Sequence, residues 1–313
     1  MESNYDPAEN TFRDTSEISV ITAQLPQSDP EDRVYGQNFF SAGNLTFAPN
    51  MNMPTPANYV LGPGDELIID VWGNSELNVR YTITPDGHIT VPGLGRLALS
   101  GLNVKQAESK IRREFSDIYS DLISADPGTH LAISVGNVRT IKVNVMGEVR
   151  TPGTYTLSSF ASAFHALYVS GGPSRIGSIR NIRVFRAGES LATVDLYDYL
   201  MSGDNTGDIT LQDGDVVLVE PYGTLAQVSG EVKRPMWYEM RDGETLQDLL
   251  RFAGGFSGDA YRANVSLHRK GSSEMEAHTL GQPEYASFLL QNGDRVEVAH
   301  ILDRYAKTVE ITG

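Results

Sequence analysis

The residues most able to do chemistry are the histidines and carboxylates, because both can move protons and bind metal ions. None of the six histidines has the spacing to another histidine or to a carboxylate that a helical metal site needs; they are His88, His130, His165, His268, His278 and His300. The chain has no cysteine, which excludes disulfides, thiolate metal sites and cysteine nucleophiles. We therefore predict no metal site, and we interpret His165 as a core or edge residue of a helix.

Phosphate binding by glycine-rich loops is a second type of chemistry. Gly93-Leu-Gly95-Arg-Leu-Ala98 resembles a dinucleotide-binding fingerprint. In that motif a helix starts within the glycine-rich loop, whereas here the next helix is predicted to start only at about Val104. The sequence has no phosphate-binding Gly-x-x-x-x-Gly-Lys motif and no Gly-x-Ser-x-Gly nucleophile elbow. The chain has 40 Asp and Glu residues, and nothing in the sequence singles out two of them as the catalytic pair of a glycosidase. We therefore interpret these carboxylates as a solvated acidic surface. We predict no cofactor and no enzymatic activity.

Aromatic side chains offer a third type of chemistry, since an exposed ring can stack on the C–H face of a sugar. The candidate carbohydrate contacts are Trp72, Trp237 and Tyr238, with Tyr35 and Tyr261 as further candidates. Most aromatic residues of small domains pack in the core instead. The sequence leaves both interpretations open for these rings.

Composition narrows the class of partner. With 25 basic and 40 acidic residues the formal net charge is −15, which disfavours a nucleic-acid binder because phosphate neutralisation needs a basic face. Hydrophobic residues make up 40% of the chain, enough for globular cores. The N-terminus has no basic segment followed by an apolar run, and no stretch reaches the ~18 apolar residues of a membrane helix.

A repeat organises the second half of the chain. Val143-Asn-Val-Met-Gly-Glu-Val-Arg-Thr-Pro152 is matched by Ala226-Gln-Val-Ser-Gly-Glu-Val-Lys-Arg-Pro235, so that Gly147 and Pro152 correspond to Gly230 and Pro235. Gly147 and Gly230 are 83 positions apart, and so are Gly230 and Gly313, where a third copy begins. Each copy reads as a hairpin, a helix ending at Gly-Gly, a second hairpin and a final strand. This order predicts small β-grasp modules, and we expect the chain to be cut from a longer protein at a module edge.

Turn chemistry organises the first half. Gly62-Pro-Gly64-Asp65 predicts a type II turn before a strand, and Asp86-Gly87 predicts a hairpin between two β-branched runs. Glycine before aspartate recurs at Asp215 and Asp294, where we interpret the aspartate as a turn cap rather than as part of an acidic site.

A helix is predicted after Leu102, with Asn103 as its N-cap and Gln106 completing a capping box. Ile111, Phe115 and Ile118 should share its buried face. The polar N-terminal arm contains one aromatic island, Val34 to Phe40, that needs a surface to pack against.

From Tyr59 to Gly313 the chain resembles a known family. Tyr59-Val-Leu-Gly-Pro-Gly-Asp-Glu-Leu-Ile-Ile-Asp-Val-Trp72 and Thr84-Pro-Asp-Gly-His-Ile-Thr-Val-Pro92 resemble the polysaccharide biosynthesis/export domain of the Wza-like outer-membrane polysaccharide export proteins. The Gly-Glu-Val-x-x-Pro hairpins resemble SLBB domains, the β-grasp modules that follow it. The expected fold class is α+β, divided into an N-terminal arm, an export domain, two SLBB modules and the start of a third at 1–57, 58–138, 139–222, 223–302 and 303–313.

The resemblance implies a periplasmic or outer-membrane protein of a Gram-negative bacterium. Its subunits would form a homo-oligomeric ring or channel for capsular or exopolysaccharide, together with an inner-membrane polysaccharide co-polymerase. Contact with the outer membrane would use segments absent from this chain. The alternative is a periplasmic receptor that binds a soluble carbohydrate through its SLBB modules and forms no pore.

Overall fold

The structure of the protein, a computed structural model, describes residues 33–41, 59–124 and 126–302. Its described part contains four α-helices and fifteen strands in four sheets, an α+β fold as predicted. Except for residues 33–41, the predicted arm lies outside the described residues, and so does the predicted start of a third module. The predicted domain boundaries remain our proposal.

The first unit is a three-stranded antiparallel sheet with a hairpin and a helix packed beside it. The sheet has the strand order β2-β1-β5, from β1 (Glu66–Gly73), β2 (Leu77–Thr82) and β5 (Thr129–Val135). The hairpin pairs β3 (His88–Val91) with β4 (Gly95–Ala98), and the helix is α1 (Val104–Phe115). Alternate residues of β1 are buried, so one face of the sheet covers a core and the other faces outward.

Local hydrogen bonds explain how α1 begins, and burial shows which of its predicted core residues face inward. Asn103 accepts from the amide of Gln106 and the Gln106 side chain accepts from the amide of Asn103, which confirms the capping box. Ile111 and Phe115 are buried, as predicted. The prediction for Ile118 was wrong, because the helix ends at Phe115 and Ile118 is 48% exposed.

Asp86-Gly87 makes a turn but not the predicted hairpin. Gly87 has a φ of +81° and its amide donates to Thr84 O, as turn chemistry requires. However, β3 pairs with β4, and β2 pairs with β1. The amides of Leu99 and Ser100 both donate to Gly87 O, so the chain after β4 occupies the turn.

Module 1 and module 2 repeat one five-stranded sheet. Module 1 has the order β7-β6-β10-β8-β9 and module 2 the order β12-β11-β15-β13-β14, with one parallel pair in each, β6 with β10 and β11 with β15. The strands of module 1 are β6 (Thr140–Gly147), β7 (Gly153–Ser158), β8 (Gly177–Arg186), β9 (Glu189–Val194) and β10 (Val216–Pro221). Those of module 2 are β11 (Thr224–Gly230), β12 (Met236–Met240), β13 (Asn264–Lys270), β14 (Met275–Gly281) and β15 (Arg295–Val298).

The helices of the two modules differ in one place. The main helix is α2 (Ala163–Val169) in module 1 and α4 (Leu246–Phe252) in module 2, each buried against its sheet. Module 1 adds α3 (Leu196–Ser202), where module 2 has a single 3₁₀ turn, Gln282–Glu284.

The repeated glycine has a steric reason. Gly147 and Gly230 have φ of +80° and +75°, and a Cβ on either would collide with a carbonyl oxygen of the parallel neighbour, Val219 or Val298. Pro152 and Pro235 stand just before β7 and β12, where no ladder amide is lost. The motif therefore marks the point where the chain leaves a central strand.

The buried residues form two separate cores. One lies in the first unit, and the other runs without interruption through modules 1 and 2. Phe40, from the aromatic island of the arm, belongs to the second core and is 4% exposed. The two modules are thus packed as one body.

Candidate functional site

Three aspartates with no exposed surface form structural ion pairs. Asp65, Asp215 and Asp294 are fully buried, and each accepts from the backbone amide three residues before it, at 2.7 to 2.8 Å. This is the predicted turn cap. Each also binds an arginine that the sequence analysis missed: Arg139, Arg186 and Arg269, at 2.7 to 2.8 Å.

A signal for two of these arginines was present in the sequence. Arg186 and Arg269 are 83 positions apart, the same register as the repeated glycines. Because the side-chain oxygens of all three aspartates accept from turn amides and guanidinium groups, we interpret these carboxylates as structural.

Asp65 also joins the first unit to module 1. Its carboxylate accepts from the Tyr59 hydroxyl at 2.6 Å and from the amide of Arg139 at 2.9 Å. The same hydroxyl lies 2.9 Å from Ser159 Oγ, and the Tyr59 ring packs edge-on at 4.7 Å from Phe160. Burial, reinforced by Asp65, raises the pKa of Tyr59. Residues just before α2 of module 1 therefore close the core of the first unit.

An ionic cluster joins module 1 to module 2, and we call it the joint: Ser178, Arg180, Asp195, Glu239, Arg241 and Glu244. Its centre is buried, whereas Glu244 is partly exposed and Arg241, which pairs with Asp195 at 3.0 Å, is exposed. The Arg180 guanidinium donates to Asp195 at 3.0 to 3.2 Å, to Glu244 at 2.6 and 2.8 Å, and to the carbonyl of Glu239 at 2.9 Å. Burial alone would lower the pKa of Arg180, but its bonds to Glu244 and Asp195 raise it. Arg180 is thus a permanent cation between two acids from different modules.

Glu239 crosses the joint in the opposite direction. Its carboxylate accepts from the Ser178 hydroxyl and from the amide of Ile179, and its own amide donates to the Tyr197 hydroxyl at 3.0 Å. Burial raises the pKa of Glu239. A buried ion cluster with this many directed bonds fixes one relative orientation of its two partners.

Trp72 lies on the outward face of the β2-β1-β5 sheet. Its side chain is 49% exposed, and its ring centre is 5.6 Å from the ring of His130, its partner on β5. Two residues earlier on the same face, Asp70 accepts a hydrogen bond from Asn78. A tilted aromatic pair beside an amide and a carboxylate is the combination that sugars bind, because the rings meet C–H groups and the polar groups meet hydroxyls.

The other two predicted aromatic contacts are placed differently. Trp237 is half-buried, under the guanidinium of Arg295 at 5.7 Å. Tyr238 is completely buried and its hydroxyl donates to Arg234 O. Its ring has no face open to a sugar, so the prediction of Tyr238 as a carbohydrate contact was wrong. The structure does not bring Trp72 together with Trp237 or Tyr238, since they lie in different units.

Module 1 contains a polar cavity of about 250 Å³. Its lining includes Asp198, Asp204, Asn205, Thr206 and Asp208. Burial raises the pKa of Asp198 and of Asp208. Within the described residues no three His, Asp or Glu side chains are grouped as metal ligands.

Comparison with known proteins covers nearly the whole chain. Residues 53–126 match the family model "Polysaccharide biosynthesis/export protein", and residues 141–219 and 225–277 each match an SLBB domain model. Two Escherichia coli proteins, each named polysialic acid transport protein KpsD, are 26% and 25% identical over 303 residues, 95% of this chain. The chain spans about half the length of these relatives, 52%. Among the described residues no helix is long and apolar enough to cross a membrane.

Proposed function

Since the chain belongs to the polysaccharide export protein family, we propose that it forms part of an oligomeric channel that carries capsular or exopolysaccharide across the periplasm and outer membrane. The observation that carries the proposal is the order of an export domain and two SLBB modules in this chain. It is supported by the similarity to two polysialic acid transport proteins over 95% of the chain. The protein acts without catalysis, by shaping a passage.

The contacts between units support a role as a channel wall. A wall built from stacked units needs fixed angles between them, and here a buried ionic cluster and a continuous core hold module 1 against module 2. The contacts of Tyr59 and Phe160 hold the first unit in the same way. Identical subunits, an inner-membrane co-polymerase and the outer membrane are the partners that this function requires.

The polysaccharide contact that we propose is the Trp72 face, defined by Trp72, His130, Asp70 and Asn78. Trp72 offers an exposed ring of large area, and the adjacent amide and carboxylate can bind hydroxyls. Trp72, Asn78 and His130 are all exposed, and an open face suits a polymer that must slide past a weak site rather than be held.

The channel proposal is tested in cells and by imaging. Deleting the gene in its host should abolish surface polysaccharide, and polymer should accumulate inside the cell. The full-length protein should form symmetric rings in negative-stain images. Normal surface polysaccharide in the deletion strain would overturn the proposal, and so would a strict monomer at every concentration.

The Trp72 face is tested by Trp72→Ala in the full-length protein, with Tyr261→Ala as control. Tyr261, a further candidate from the sequence, is also exposed, at 41%, but it lies on module 2, outside the Trp72 face that we propose. We expect Trp72→Ala to weaken binding of host oligosaccharide about tenfold, a typical loss for one stacking ring. Tyr261→Ala should leave it unchanged. Equal effects of the two changes would refute a specific role for Trp72.

The second candidate function, a soluble-sugar receptor, is favoured by the polar cavity of module 1. Its Asn205 and Thr206 can donate and accept hydrogen bonds with sugar hydroxyls. A receptor predicts saturable binding of a monosaccharide or short oligosaccharide that Asn205→Ala abolishes, in a protein that stays monomeric. The channel predicts neither result.

A further inference from the structure

Residues 33–41, which we call the strap, lie across the two modules although the sequence places them before the first unit. The strap extends the sheet of module 2 at its edge strand, β12. Val34 forms a parallel bridge with Trp237, Tyr35 N donates to Trp237 O, and Trp237 N donates to Arg33 O, both at 2.9 Å. Backbone pairing at a sheet edge is how many proteins bind a peptide.

Tyr35 is inserted between the modules. Its ring packs edge-on against Tyr197 of module 1 at 5.3 Å and stacks on Tyr238 of module 2 at 5.5 Å. Its hydroxyl accepts from the Arg234 guanidinium, which also lies 4.8 Å above the ring. Tyr35 therefore contacts both modules beside the joint.

The strap then bends onto module 1. Gly36 has a φ of +81°, which strains any other residue, and a Cβ there would press on Ile179 Cδ1 at 3.0 Å. The Gln37 side chain donates to the carbonyls of Ser174 and Arg175, at 3.2 and 3.0 Å.

The strap ends in an aromatic cluster on α2. Phe40 lies 4.8 Å from Tyr168 and 5.9 Å from Phe164, and Phe39 lies 5.6 Å from Tyr168. Phe40 reaches this position because Gly172 has no side chain; a Cβ on Gly172 would lie only 2.5 Å from Phe40 Cβ.

We propose that this surface is a peptide-binding site built from both modules, that its ligand is the chain's own strap, and that the bound strap locks the two modules in one orientation. Recognition combines strand addition at β12, a ring slot between Tyr197 and Tyr238, and an aromatic pocket on α2. The site exists only while the two modules stand in this register. Release of the strap would therefore loosen the joint.

The first experiment uses the full chain with Tyr35→Ala and Phe40→Ala together. Hydrogen exchange should become about tenfold faster or more at the amides of Trp237, which donates to the strap, and Glu239, which lies in the joint. Exchange at Ile69, in the core of the first unit, should not change. Unchanged exchange at Glu239 would show that the strap does not lock the joint.

A synthetic peptide of residues 33–41 tests whether the site is a separable receptor. Added in excess to the doubly substituted chain, it should restore slow exchange at Trp237 and Glu239. The same peptide with Asn38→Ala should work equally well because Asn38 is exposed, whereas one with Phe40→Ala should fail. Equal rescue by all three peptides, or by none, would overturn the proposal.

The repeat supplies a matched pair of variants that leaves the strap sequence intact. Gly172 and Gly255 occupy the same position in the two modules, with φ of +78° and +81°, so alanine strains both backbones equally. Only at Gly172 would a Cβ press on the strap; at Gly255 nothing lies within 4 Å. We expect Gly172→Ala to speed exchange at Trp237 severalfold more than Gly255→Ala. Equal effects would contradict docking of Phe40 as the locking contact.

Discussion

At the scale of single residues, His165 shows how a half-buried base can serve as a helix cap. Its Nδ1 accepts from the amide of Ser162 at 3.2 Å and lies 2.8 Å from Ser162 Oγ, the position that glutamate or glutamine fills in an ordinary capping box. Burial lowers the pKa of His165, and the nearby Asp208 only partly opposes this. A neutral imidazole is therefore part of the native state.

His165→Gln should keep the cap and remove the proton sensitivity. As pH falls below 6.5, the histidine of the unfolded chain takes up a proton that the folded protein resists. The free energy of unfolding of the wild type therefore falls as the solution becomes more acidic. The full loss is reached once the pH is below the pKa of the folded histidine. The variant should lose less unfolding free energy between pH 7.5 and pH 5.5, measured by urea denaturation. Parallel curves for the two proteins would contradict this account.

At the scale of elements, each module repeats one ion pair. An aspartate in the turn before the module's last strand pairs with an arginine on the neighbouring strand. In module 2 the turn residue Asp294 is fully buried and receives two guanidinium bonds from Arg269, at 2.7 and 2.9 Å. Module 1 repeats this with Asp215 and Arg186. Removing the acid leaves the arginine without its counter-charge and a turn amide without an acceptor.

Asp294→Ala should therefore destabilise the protein by about 3 kcal/mol, the usual cost of breaking a buried pair from one side. The control is Glu297→Ala on the same strand, an exposed carboxylate whose loss should change stability by no more than about 0.5 kcal/mol. Chemical denaturation of both variants measures the difference. A loss at Asp294 no larger than at Glu297 would refute the assignment of this pair as structural.

These elements also show what could be predicted from the sequence. Turns and caps such as Gly64-Asp65 and Asn103 are decided by neighbouring residues, so they were predicted correctly. The Asp86-Gly87 hairpin failed because strand pairing depends on distant residues that the local motif does not contain. The exposure of Trp72 and the burial of Tyr238 follow from packing between elements, which spacing along the chain does not reveal.

At the scale of the whole molecule, one buried arginine links the two modules. Arg180 is 3% exposed, and its guanidinium pairs with acids from both modules, Asp195 and Glu244. Its neighbour on the same strand, Arg183, pairs with Glu220 within module 1 and is about one-third exposed. Substituting each arginine in turn therefore distinguishes the loss of coupling between the modules from the mere loss of a charge on β8.

Arg180→Met should cost about 3 kcal/mol, because the buried Asp195 keeps only the partly exposed Arg241 as its cation and Glu244 loses its guanidinium partner. It should also split the unfolding of the module pair into two steps. Arg183→Met should cost no more than about 1 kcal/mol and leave a single step. Calorimetry of the full chain tests both. A single, barely shifted transition for Arg180→Met would show that the apolar core alone couples the modules.

The position of the strap also dictates the order in which the chain can fold. Tyr35 precedes both modules in the chain, yet the arginine that donates to its hydroxyl, Arg234, is 199 residues later. Contacts of such long range form late, because the intervening chain must be ordered before closing so large a loop is rewarded. Both modules must fold and meet before their cleft exists. The strap therefore precedes both modules in the sequence, yet it settles only after they have folded against each other.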